Sequence, residues 1–94
     1  MDIAKSEIVK SIAGRDSGKL FFVLETDGEY LMLVDGSSRR VEHPKRKKRK
    51  HVEAFGSSET RVALKIRSGE RITNSELRRT LAEIGEEGNP DQEG

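Results

Sequence analysis

Leu20-Phe21-Phe22-Val23-Leu24-Glu25-Thr26-Asp27-Gly28-Glu29-Tyr30-Leu31-Met32-Leu33-Val34 decides how this chain folds. Two mostly apolar runs rich in β-formers flank Thr26-Asp27-Gly28-Glu29. An Asp-Gly pair between two such runs is a strong hairpin signal, because glycine supplies the positive φ that tight hairpin turns need. Before the hairpin, Ile8-Val9-Lys10-Ser11 reads as another short strand. The polar stretch Ala13-Gly14-Arg15-Asp16-Ser17-Gly18-Lys19 comes after it as a turn or bulge in which Gly14 and Gly18 can take positive φ at low cost. After the hairpin, Asp35-Gly36-Ser37-Ser38 is a turn leading into Arg39-Arg40-Val41-Glu42, the expected third hairpin partner, before Pro44 ends regular pairing. Three or four short strands within about 40 residues predict a small closed or half-closed barrel, since an isolated hairpin is marginal in water. At least two of Phe21, Phe22 and Tyr30 belong in its core. One of the adjacent phenylalanines must face away from the other, because strand side chains alternate.

The second half changes character. Thr73-Asn74-Ser75-Glu76 is a capping box, and Leu77, Leu81 and Ile84 recur at helical spacing until Gly85 offers a stop, which predicts a helix. Residues 58–68 carry both signals: Val62, Leu64 and Ile66 alternate as in a strand, whereas Ser58, Ala63, Ile66 and the Gly69 stop suit a helix, and the balance tips to helix. From Glu86 onward, Gly88, Asn89, Pro90, Asp91 and Gly94 with several carboxylates predict a disordered acidic tail.

Ninety-four residues are one domain's worth of chain with a modest core. At 32% hydrophobic and 37% charged residues, parts of it are expected to stay solvated. The absence of cysteine excludes disulfide frameworks, thiolate zinc sites and thiol nucleophiles. No run approaches the roughly 18 apolar residues of a membrane span. Met1-Asp2-Ile3-Ala4-Lys5 lacks the apolar core of a signal peptide, so a cytoplasmic protein without membrane contact is expected.

A net charge of +1 hides strong polarity. Residues 1–38 hold 4 basic and 7 acidic side chains, residues 39–51 hold 8 and 1, and residues 52–94 hold 6 and 9. A +7 centre therefore lies between two flanks of −3 each. Within it, Lys45-Arg46-Lys47-Lys48-Arg49-Lys50 are six consecutive cations between Pro44 and His51. Phosphates of nucleic acid are their natural counter-ions. The run holds no aromatic residue, so it is expected to contact phosphate and shape and not to stack on bases. A solvated charged loop and a nuclear localisation signal are the competing readings, the second of which requires a nucleus.

Ile8-Val9-Lys10-Ser11-Ile12-Ala13-Gly14-Arg15-Asp16-Ser17-Gly18-Lys19-Leu20-Phe21-Phe22-Val23 resembles the KOW motif, in which a strand, an Ala-Gly-basic-Asp-x-Gly-Lys loop and a second strand make one corner of an SH3-like barrel. The continuation from Asp35 through His51 is similar to the corresponding stretch of bacterial KOW-domain RNA-binding proteins akin to the archaeal and eukaryotic fourteen-e type large-subunit ribosomal proteins. The likeness spans residues 5–52. It implies that Gly14 and Gly18 let the backbone approach RNA while Arg15 and Lys19 meet phosphate. Ser17 departs from the pattern, standing where lysine is common. The plainer reading of both glycines is an ordinary barrel turn.

Other constellations carry less. His43 and His51 have no carboxylate or cysteine arranged beside them for a metal. Ser11, Ser37, Ser38 and Ser57 sit in no nucleophile-elbow motif, so neither catalysis nor a cofactor or small-molecule substrate is expected. Arg78 and Arg79 could face outward on a DNA-reading helix, but two exposed arginines are ordinary. The expected architecture is mainly β with a C-terminal helix. A small SH3-like (KOW) barrel with its basic segment at 44–52 fills residues 1–52, a helical appendage fills 53–85, and a disordered tail fills 86–94. The expected function is RNA binding, ribosomal RNA above all, in a ribosome- or translation-associated protein. Arg15, Lys19, Arg39 and Arg40 would set register and Lys45, Arg46, Lys47, Lys48, Arg49, Lys50 and His51 would capture phosphate. The alternative is an interaction module for a protein of the transcription or translation machinery, using the barrel and the Leu77-Leu81-Ile84 stripe.

Overall fold

The computed structural model describes residues 3–56 and 59–87. β1 (Ile8–Ser11), β2 (Leu20–Asp27), β3 (Tyr30–Val34), β4 (Lys45–Lys48) and β5 (Val52–Gly56) form one antiparallel sheet in the order β4-β3-β2-β1-β5. A 3-10 turn at Arg49–His51 joins β4 to β5, and α1 (Arg61–Ser68) and α2 (Asn74–Glu87) come next. The decisive hairpin forms: Asp27 pairs with Tyr30 across a two-residue turn whose first residue, Gly28, has φ 62°. That is the position where a Gly-x hairpin turn needs a positive φ. The β2–β3 register shifts between Val23 and Glu25, leaving Leu24 as a bulge.

The third hairpin partner is not Arg39–Glu42. Those backbone groups are spent in a turn: the Asp35 and Gly36 amides donate to the Arg39 carbonyl, the His43 amide to the Arg40 carbonyl, and the Val41 amide to Asn74 Oδ1. β3 pairs instead with Lys45–Lys48, so Pro44 precedes the strand and does not end pairing. A run of four cations is a poor strand former by propensity, and tertiary pairing overrides that preference. As an edge strand, its charges also discourage association with other chains. Val52–Gly56 is a second unanticipated strand, pairing with β1, so the expected boundary at residue 53 cuts a sheet strand.

Both faces of the sheet are covered, which is why both Phe21 and Phe22 are fully buried. Phe22, Ile8 and Val34 meet Val62, Ala63, Ile66, Ile72, Leu77 and Leu81 of the helical half. Phe21, Val9, Val23, Leu31 and Leu33 form a second cluster with Ile3 and Val52 and no helical residue. The sheet is not closed into a barrel: β4 and β5 are its two edges. The helices therefore share the core; each fully buried Leu, Ile or Phe there contributes about 1.5–3 kcal/mol.

Residues 61–68 are helical, as the balance of signals predicted. Thr60 accepts from the Ala63 amide at the start, and Gly69, at φ 78°, ends the helix by donating to the Ile66 and Lys65 carbonyls. The capping box of α2 is reciprocal: the Thr73 amide donates to Glu76 Oε2 (3.0 Å) and the Glu76 amide to Thr73 Oγ1 (3.2 Å). Gly85 does not stop α2, which continues to Glu87. Glycine ends a helix by turning left-handed, and Gly85 is not among the positive-φ glycines. The predicted disordered tail lies outside the described residues from position 88 on. Among the described residues, no helix is long and apolar enough to cross a membrane.

Candidate nucleic-acid interface

The loop between β1 and β2 is built around Asp16. Its backbone closes on itself through Gly18 N to Ser11 O (2.7 Å), Ser11 N to Lys19 O (2.9 Å) and Lys19 N to Asp16 O (3.0 Å). Gly14 and Gly18, at φ 84° and 93°, make the two left-handed corners this path needs. Asp16 Oδ1 accepts from Ser11 Oγ (2.7 Å) and Lys47 Nζ (2.8 Å), while Oδ2 lies 3.2 Å from Lys45 Nζ. Burial by itself would raise the Asp16 pKa. The hydrogen bonds from Lys47, Ser11 and Lys45 outweigh it and hold the carboxyl well below the usual carboxylate range.

β-sheet alternation divides the basic run. Lys45 and Lys47 stand opposite Leu33 and Leu31, hence on the inner face, and reach back to Asp16. Lys47 is only 7% exposed and also donates to the Ala13 carbonyl (2.7 Å). Arg46, on the other face, lies over the Tyr30 ring, 3.8 Å from its centroid, and 4.0 Å from Asp27. Arg49 donates to the Gly28 carbonyl (2.7 Å) and the Ile3 carbonyl (2.9 Å). Lys47 and Arg49 thus hold the fold together. Lys48 and Lys50 border a separate depression of about 250 Å³ beside Glu29, and His51 is half-buried at the end of the 3-10 turn.

The turn after β3 is equally ordered. Asp35 accepts from the Ser37 and Arg39 amides (2.9 and 2.8 Å) and from Ser38 Oγ (2.8 Å). Gly36, at φ 78°, packs so closely on α2 that a Cβ would meet the Asn74 carbonyl and lie 2.9 Å from Leu77 Cβ. Arg78 donates to the Gly36 carbonyl (2.6 Å), and Asn74 bonds both the Val41 amide and Glu42. This scaffold brings Arg39 opposite the β1–β2 loop. Arg15, Lys19, Arg39 and Lys45, with Asp16 and Ser38, line one groove of about 320 Å³.

Arg15, Lys19 and Arg39 are exposed there, and none of the three has a side-chain partner among the described residues. Because Asp16 is committed to two lysines, the groove keeps a cationic surplus. Arg40 is not in it, lying near Glu42 at 3.8 Å. Of the expected capture residues only Lys45 reaches the groove, and Gly14 and Gly18 serve its geometry. Asp16 and Asp35, which organise the site, carried no assigned role in the sequence. Asp35 had a local signal, its position opening an Asp-Gly-Ser-Ser turn, whereas the Asp16–Lys47 contact spans 31 residues and has none. Leu77 and Leu81 are buried in the core, so the stripe offered as a partner surface is used internally. The chain matches no protein-family model and no curated protein sequence.

Proposed function

We propose that this protein binds RNA, structured ribosomal RNA included, by phosphate contacts centred on the groove of Arg15, Lys19, Arg39 and Lys45. The observation that carries the reading is convergence. Four cations from three separate segments, the β1–β2 loop, the β3–β4 turn and β4, line one open surface, and Arg15, Lys19 and Arg39 have no side-chain partner among the described residues. Phosphate oxygens are the groups such a surface is built to meet, and Arg and Lys supply most sequence-independent affinity for nucleic acid. The KOW resemblance supports the same reading, and a five-stranded antiparallel sheet in the order β4-β3-β2-β1-β5 with a 3-10 turn between β4 and β5 is compatible with an opened SH3-like barrel. A ribosome- or translation-associated, cytoplasmic setting is implied by the same likeness.

Substituting the whole run 45–50 would confound binding with unfolding, because Lys47 and Arg49 are structural. The informative variant is Arg15→Ala/Lys19→Ala/Arg39→Ala, measured against structured RNA over a salt series with the melting temperature as control. Each lost phosphate contact should reduce the slope of log affinity against log salt by about 0.7–0.9, a fall of roughly 2–3 for the triple variant. Unchanged affinity and slope would remove the groove from the binding surface.

A further inference from the structure

Beside the cationic groove lies a second, shallower hollow of about 300 Å³, floored by Leu20 of β2 and Leu81 and Ala82 of α2. The two adjoin: Lys19 lines both, and the consecutive Ser37 and Ser38 border one each. Resting on the reading above, we propose that this hollow receives the base of an unpaired nucleotide whose phosphate sits in the groove. The RNA recognised would then carry a single-stranded or bulged nucleotide.

The chemistry of the rim fits that occupant. A nucleobase is flat, with two apolar faces and a polar edge, and it is covalently tied to an anion. Three of its lining residues, Leu20, Leu81 and Ala82, are aliphatic, and Lys19 and Arg78 are its two cations. Asp35 and Arg78 stand at its edge, and each is already oriented. Asp35 accepts two amides and the Ser38 hydroxyl, and Arg78 bonds the Gly36 carbonyl and Ser75 Oγ. Held in this way, they present an acceptor and a donor without further ordering, and the Ser37 hydroxyl, unpartnered among the described residues, adds an adaptable third group. A base within a duplex is stacked and paired and cannot enter; one that is splayed out can lodge between apolar side chains. The site thus adds base contact to a surface whose basic run can only anchor.

The test compares three probes with the intact protein: a short single-stranded oligoribonucleotide, its abasic counterpart, and the corresponding duplex. Removing the base removes its contact with the aliphatic floor, so the single strand should bind several-fold more tightly than the abasic probe. Ala82→Leu, at an exposed helical position and to a good helix former, fills the hollow. It should erase that preference while leaving the salt slope and melting temperature unchanged. Independently of any variant, the Ala82 methyl resonance should shift with the single strand and not with the abasic probe. Equal binding of both probes, with Ala82→Leu and the methyl both silent, would overturn the base site yet leave the phosphate groove standing. No binding of any probe, even at low salt, would overturn both.

Discussion

Replacing Asp16 by alanine removes the acceptor of three side chains at once: Ser11 Oγ at 2.7 Å, Lys47 Nζ at 2.8 Å and Lys45 Nζ at 3.2 Å. Lys45, 28% exposed, can turn to water. Lys47, 7% exposed, cannot, and keeps only the Ala13 carbonyl. Leaving such an ammonium buried without its counter-charge costs about 3–5 kcal/mol, a large part of the 5–15 kcal/mol typical of a whole domain. With a urea slope of about 1–1.5 kcal/mol/M for a domain of this size, the denaturation midpoint should fall by roughly 2–5 M. Adding Lys47→Met removes the stranded charge at similar volume. The double variant should therefore recover most of the loss relative to Asp16→Ala alone. The pH dependence has a definite sign. The folded-state carboxyl is held below its ordinary value, so its contribution is fully present above about pH 4 and is lost as the pH falls through and below that range. The stability gap between the parent and Asp16→Asn should narrow accordingly in acid. A cost under about 1 kcal/mol for Asp16→Ala, or a double variant as weak as the sum of the singles, would refute the claim that Asp16 pins the loop to β4.

Gly36→Ala forces a left-handed alanine and drives its Cβ against the Asn74 carbonyl. It should destabilise by more than about 2 kcal/mol in urea melts and also weaken RNA binding, because Arg39 is carried by the same turn. Thr73→Ala breaks the capping box of α2 and should cost about 1 kcal/mol in urea melts, with RNA affinity unchanged. Lys47→Met alone should reduce stability far more than RNA affinity, whereas Arg39→Ala should do the reverse; filter binding and urea titration on the same two variants separate these outcomes.

The hairpin, the first strand and the α2 capping box were legible because their signals are local: alternation, an Asp-Gly turn, and Thr73 three residues before Glu76. The basic run was misplaced as a segment apart, since nothing within Pro44 to His51 announces that Lys47 will face inward beneath a loop aspartate 31 residues earlier. Arg39–Glu42 looked like the next strand for the same reason. Its competitor for the Val41 amide is Asn74, 33 residues away on α2. Gly85 resembled a stop because composition cannot say whether a glycine turns left-handed.

What the sequence determined by itself was the first strand, the β2–β3 hairpin and the two helical segments, and the concentration of positive charge at 39–51 between acidic flanks. Those depend on side-chain periodicity and on charges adjacent in the chain. Only the tertiary structure decided which cations are structural and which are free. That division depends on sheet register, which sends successive residues of β4 to opposite faces, and on which carboxylates and carbonyls the fold brings within hydrogen-bonding distance. It also brought Arg15, Lys19, Arg39 and Lys45, scattered over three segments, to one groove beside an apolar hollow.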